Sequence, residues 1–450
     1  MVHASVSHRV SKALGFWLII LGVAVSAILT LGRAHLEAQM FVSLSVIIAG
    51  IAMVIIPRAV KREPTLSPRF LWVALFAHIG GSLLRYVVIE TVYHGVADAN
   101  GYVGAGRLIS EAFRSLNPPP LPEPGTEFMN WLTGLLFTFT GTTMLGGFVV
   151  CAALSFVGAW YFYRAFRIAF PGGNHKVFAA LIFFIPSMWY WPSSLGKDAI
   201  IVWFLGMATY GVALLFRSVL IRGSVYSAFG IFGAMMIRPP IAAALVIAAG
   251  IGFVLRPSGG GSVQLRAMKW VVVIPFIALL GFFAMKTTQV YVGDKSVTEA
   301  YEATRTTEFD SGGGGGSNFV TPSAVTPPGF AYSVVTANIR PFPWEAGGGL
   351  AAAAALEGVL LAAIILWRRG AIWRGLKSWR TNGMVLVVWA AFLANSLILS
   401  TLGNFGLLAR QRTQVLPFLF MLIALAPMRG KRHQAVMTPR AMAPTGARSA

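Results

Sequence analysis

The sequence predicts an all-α, polytopic transmembrane helical bundle of about 12 membrane segments, with two longer extracytoplasmic loops and both termini cytoplasmic. Three observations carry this. Hydrophobic residues make up 56% of the 450 and charged residues only 11%, too few to clothe a large soluble domain. Apolar stretches recur along the whole chain, most of them long enough to cross a hydrocarbon layer of roughly 30 Å as helices. The connections between them alternate between strongly basic and mixed or acidic.

In order, the stretches lie near 14–31, 40–56, 70–90, 142–163, 177–191, 199–216, 225–237, 240–255, 270–285, 350–367, 383–400 and 413–428. The first follows a basic start but spans about 18 residues, and the next follows at once, so it reads as an uncleaved helix and not as a signal peptide. Both termini and every second connection hold 24 of the 36 basic residues and one acid, Glu63. Basic loops are retained in the cytoplasm, which sets the orientation and accounts for most of the net charge of +21 without nucleic acid as a partner. The chain is thus one membrane domain, 1–450: a hairpin over 13–69, a core over 70–430 with outer loops 91–141 and 286–349, and a basic tail over 431–450.

Several function classes have no seat here. The single cysteine, Cys151, and seven scattered histidines give no metal spacing, so neither metal nor other cofactor is expected. The run Gly312 to Gly316 lacks the Lys-Ser/Thr ending of a phosphate-cradling loop and reads as a linker.

The polar residues that remain gather at breaks and loops. Segment five ends at Pro186 and runs through Trp189-Tyr190-Trp191-Pro192 to Gly196-Lys197-Asp198, where a new helix opens with Asp198 placed to cap it. The aromatic residues suit an interfacial belt and Lys197 a snorkelling end, or else Lys197 and Trp191 face a substrate. Arg238, before Pro239-Pro240, sits where a bend between two helices offers freed amides; it either binds an anion or caps the preceding helix. Arg410 and Arg412 precede the last segment, at a helix entrance that prefers negative charge, so an anion should compensate them: Glu345, Asp98, a lipid headgroup or a substrate diphosphate. Asp98 stands one helical turn before Tyr102 in the first outer loop, as a general base or a hydrated loop acid. In Arg340-Pro-Phe-Pro-Trp344-Glu345, Trp344 is an interfacial anchor or a sugar-stacking platform, and Glu345 suits the start of the next helix. Within the apolar zone, Arg85 and Glu357 are expected to pair.

Lys197, Arg238, Arg410 and Arg412 come from three hairpins yet share one side of the inferred topology with Asp98, Asp198 and Glu345. Cations above apolar helices suit a lipid-linked phosphate or diphosphate, and a carboxylate beside them suits activation of a sugar hydroxyl. The motifs Asp98-Ala-x-x-Tyr102, Trp191-Pro-Ser-Ser-Leu-Gly-Lys197-Asp198, Ile237-Arg238-Pro239, Arg340-Pro-Phe-Pro-Trp-Glu345 and Gly403-Asn404-Phe-Gly406 to Arg412 give the chain, from about residue 70 onward, an order that resembles the bacterial O-antigen polymerase-like and exopolysaccharide polymerase-like membrane proteins. The likeness to GT-C membrane glycosyltransferases is looser, because their acidic loop follows the first helix and Asp98 follows the third segment.

The resemblance implies a multi-pass protein of the bacterial inner membrane that extends a polyprenyl-diphosphate glycan at the outer face, with Arg238, Arg410 and Arg412 binding substrate. Asp98, with Asp198 or Glu345 as a second carboxylate, is the expected catalytic set; Lys197 completes the phosphate clamp; Tyr102, Trp191 and Trp344 are the expected sugar contacts. The expected partners are the lipid-linked glycan, membrane lipid and polysaccharide assembly proteins. Two other classes fit the same residues: a lipid-linked glycan flippase, for which broken helices are common, and a non-catalytic scaffold of an assembly complex.

Overall fold

A computed structural model describes residues 36–63, 65–255, 299 and 319–425. Among them the chain is all-helical, without strands, and six helices are long and apolar enough to cross a membrane. The expected segments at 14–31 and 270–285, both termini and much of the expected second outer loop lie outside the described residues.

Helix α1 (Leu36–Arg62) is followed by α2 (Pro68–Thr91), whose start is capped by Ser67 Oγ accepting from Phe70 N at 3.2 Å. The expected first outer loop folds as a hairpin of α3 (Asp98–Arg114) and α4 (Thr126–Thr140). Helix α5 (Met144–Ala169) has its first amides bound by Glu37 of α1, Met144 N at 3.0 Å and Leu145 N at 2.7 Å, an acid at the positive end of a helix. Segment five is two helices, α6 (His175–Phe184) and α7 (Pro186–Tyr190), broken where Pro186 lacks the amide that would continue the ladder. Then come α8 (Lys197–Phe216), α9 (Leu220–Ile237) and α10 (Pro239–Val254). The C-terminal part contains α11 (Pro327–Ile339), α12 (Gly349–Lys377), α13 (Gly383–Leu399), the seven-residue α14 (Phe405–Gln411) and α15 (Leu416–Ile423).

Helix α8 is the centre. Every one of its residues except Lys197 and Trp203 is buried, as its all-round apolar sequence requires. Lipid tails are as apolar as leucine, so helices here are held by close packing, and small residues permit it. A Cβ on Gly206 of α8 would lie 2.3 Å from Gly158 O of α5, and one on Gly230 of α9 would lie 2.4 Å from Ala208 N of α8. The periphery is apolar too: Val73, Phe76 and Val87 on α2 and Leu356, Leu360 and Trp367 on α12 are exposed. Such extensive apolar surface belongs against lipid.

The two ends of the bundle differ. At one end Glu63 bridges Arg164 (3.8 Å) and Arg167, Arg217 donates twice to Ile168 O (3.0 and 2.9 Å), and Asn382 Nδ2 donates to Ala169 O at 2.8 Å. Four of the connections read as basic therefore meet there, with Arg217 and Asn382 covering the last carbonyls of α5. The starts of α3, α8 and α10 lie at the other end.

The expected pair of Arg85 with Glu357 does not form. Arg85 on α2 faces α7 and lies over the rings of Tyr190 (5.2 Å) and Trp191 (4.8 Å), a cation–π arrangement. Glu357 instead accepts from Ser187 N at 2.8 Å, at the start of α7, and its other oxygen lies 3.9 Å from Arg412.

Candidate functional site, a cationic cavity at four helix starts

Four helices begin at a single cavity of about 510 Å³: α3 at Asp98, α4 at Thr126, α8 at Lys197, and α10 directly after Arg238. Among the described residues no side chain caps any of these four starts. The starts of α3, α4 and α8 contribute uncapped first-turn amides, α10 opens on Pro239-Pro240 without any, and each of the four adds the positive end of a dipole worth roughly half a charge. Gly125 N donates to Met236 O at 2.8 Å and so ties the start of α4 to the end of α9. The fifth contributor is α14, whose start is held by Asn404 Oδ1 accepting from Gly406 N (2.9 Å) and Leu407 N (3.1 Å). It brings Leu407, Arg410 and Gln411 to the cavity wall.

The charges form one network. Arg410 reaches across both aspartates, donating from Nη1 to Asp98 Oδ2 at 2.8 Å and from Nε to Asp198 Oδ2. Arg238 Nη2 donates to Asp198 Oδ1 at 3.1 Å. Asp198, its side chain 4% exposed, thus has both oxygens taken by guanidiniums, which compensates a carboxylate too buried to stand alone. Asp98 is the opposite case, 58% exposed with only one oxygen engaged among the described residues. Lys197 Nζ has an uncharged partner, Thr126 Oγ1, at 3.0 Å, and Arg238 Nη1 has no hydrogen-bond partner among the described residues. Three cations thus stand against two carboxylates, and four helix starts add further positive potential.

The attraction of Asp198, ahead of the cost of burial, raises the pKa of Arg410 above its ordinary value, so its charge is fixed. Burial foremost, and then the charge of Asp98, pushes the Tyr102 phenol up to about 12. At neutral pH Tyr102 is therefore a hydrogen-bond donor and not a base. The arrangement can bind a multiply charged anion through Lys197, Arg238, Arg410 and backbone amides, with one accessible carboxylate beside it.

Five residues singled out in the sequence line this cavity: Asp98, Tyr102, Lys197, Arg238 and Arg410. Asp198 stands behind them and orients the two arginines, instead of capping α8 through its side chain. Four others are elsewhere. Arg412 is fully buried, with Nη1 donating to the carbonyls of Asn338 (3.2 Å) and Arg340 (3.3 Å), so it does not join the cations at this cavity. Glu345 is held by the guanidinium of Arg340 and by Phe342 N at 2.8 Å. Trp191 lies beside Arg85, and Trp344 stacks on Phe342 while 80% exposed. The reason is helical phase: Arg410 and Arg412 are two residues apart and point to different faces of α14 and the 3-10 turn after it. Sequence reading missed Thr126, Asn130 and Gln411. Gly125-Thr126 marked a helix start, and Asn130 one turn on shares its face. Comparison with protein-family models, curated proteins and solved structures finds no match to this chain.

Proposed function

We propose that this chain is a membrane glycosyltransferase or polysaccharide polymerase that uses a polyprenyl-(di)phosphate-linked sugar donor at the outer face of the bacterial cytoplasmic membrane. The observation that carries the reading is the convergence of Lys197, Arg238 and Arg410, from three separate parts of the chain, on one cavity at the tips of apolar helices, with the exposed carboxylate of Asp98 at its wall. The three cations hold the diphosphate. Asp98 takes the proton of an acceptor hydroxyl, whose oxygen bonds to the anomeric carbon as the bond from that carbon to phosphate breaks. The electron pair leaves on the lipid diphosphate, where the arginines stabilise it without a metal. Tyr102, at the wall of the same cavity, offers its hydroxyl as a donor to the bound substrate, and Asp198 keeps the two guanidiniums in register.

The test is turnover of a polyprenyl-diphosphate glycan by the purified protein in lipid, with Arg238→Ala and Asp98→Ala beside it. Longer glycans from the native chain, lost in both folded variants, support a polymerase. Movement of labelled lipid between leaflets without any product sinks the enzyme reading in favour of a flippase.

A further inference from the structure

A second cavity, of about 190 Å³, has a polar floor that nothing in the reaction above uses. Its floor is Arg412, Glu357, Ser187 and Tyr190. Arg412 spends Nη1 on backbone carbonyls and Glu357 spends Oε2 on Ser187 N, which leaves Arg412 Nη2 3.9 Å from Glu357 Oε1, too far for a hydrogen bond. Arg412 Nε and Nη2, Glu357 Oε1, Ser187 Oγ and the Tyr190 hydroxyl are all buried with no hydrogen-bond partner among the described residues. Unmatched buried polar atoms are costly, and here the four residues that carry them all line one cavity.

Above the floor the wall is apolar, including Leu84, Leu350 and Ala353; Leu84 and Ala353 are exposed on α2 and α12, whose outer faces are the apolar surface described above. A neighbouring cavity of about 260 Å³ shares Trp191, Leu350 and Ala354 and is walled mainly by apolar side chains such as Val92 and Ala351. Together they form a polar pocket with an apolar lane. Helix α14 divides this lane from the cationic cavity, with Phe405 and Ala409 on one side and Leu407 and Arg410 on the other.

The floor carries one positive and one negative group, so a charged head of either sign would meet a like charge at close range. A hydroxyl meets neither and serves both: its oxygen accepts from Arg412 while its proton goes to Glu357 Oε1, closing the gap between them. We propose that this is a second ligand site, holding an uncharged amphiphile by a hydroxyl head, an isoprenoid or glyceride alcohol, with its chain in the apolar lane. It stands independently of the glycosyl-transfer reading.

The experiment is equilibrium binding of radiolabelled geranylgeraniol, dioleoylglycerol and geranylgeranyl methyl ether to the purified full chain in detergent. Saturable binding of an alcohol is expected, with the ether, which cannot donate to Glu357, weaker by at least about tenfold. Stronger binding of the prenol identifies an isoprenoid occupant, and stronger binding of the glyceride a glyceride. Ala353→Phe fills the cavity from its exposed wall and should lower alcohol binding by about tenfold or more while farnesyl diphosphate still binds the cationic cavity. Ala354→Leu serves the same purpose if the phenyl ring disturbs folding. Failure of both alcohols to bind, equal binding of alcohol and ether, or native binding by the folded filled variants would leave only water on this floor and overturn the proposal.

Discussion

Removing the Arg238 guanidinium isolates the ligand-binding part of the cationic cavity, because it leaves every buried carboxylate with a partner. Asp198 loses the 3.1 Å bond to Arg238 but keeps Arg410, and Asp98 is untouched. Arg410→Ala is a poorer probe, since it unpairs Asp98 altogether and leaves Asp198 with Arg238 alone. A hydrogen bond to a charged group is worth about 1.5 to 3 kcal/mol, and each 1.4 kcal/mol is a factor of ten, so Arg238→Ala should weaken a diphosphate by about ten- to a hundredfold. Arg238→Lys restores the charge without the two-pronged fork and should recover part of this. The assay is calorimetric titration of farnesyl diphosphate into the protein in detergent at low salt, where the native affinity should fall as salt is added. Unchanged affinity in a folded Arg238→Ala protein would refute the assignment of this cavity to the diphosphate.

Asp98→Asn should leave farnesyl diphosphate binding nearly intact while abolishing glycan extension, a split read by pairing the titration with turnover; equal loss of both would make Asp98 a binding group and not the base. Asp198→Asn removes the carboxylate between two guanidiniums, and breaking a buried ion pair costs about 3 to 5 kcal/mol, so a lower thermal midpoint is expected by scanning fluorimetry. Gly206→Val should be worse tolerated than Gly172→Val, because a Cβ at Gly206 meets backbone 2.3 Å away whereas one at Gly172 meets nothing within 4 Å; comparing the yields of folded protein checks this. Tyr102 has a folded-state pKa raised from its ordinary 10 to about 12, so the unfolded chain gives up this proton first and stability falls as pH climbs through that window. Tyr102→Phe should remove one proton's share of the alkaline slope in midpoint against pH.

The helices were legible because apolar length and proline breaks are local properties: 70–90 falls within α2, 199–216 within α8, and Pro186 and Pro239 both end helices. The cavity was partly legible for the same reason, since Asp98, Lys197 and Arg238 all sit at helix ends, where a polar residue in an apolar chain is conspicuous. Pairing was not. Nothing local distinguishes Arg412 from Arg410, yet one is sealed in the core and the other lines a cavity, because two residues of helix rotate a side chain by more than half a turn. The partner of Glu357 was misread likewise, since it depends on the way α12 faces α7 and Arg412. The close approach of Gly158 and Gly206 joins residues on two different helices, a relation that one sequence does not display.

The four uncapped helix starts have a consequence that outlasts any one side chain. Their polarity is written in the main chain and is retained by any variant that keeps the helices in place. Exchanging the lysine and arginines should therefore retune which anion is preferred, and how strongly, long before it extinguishes the preference for anions. Specificity in such a cavity is free to drift while its sign stays constant.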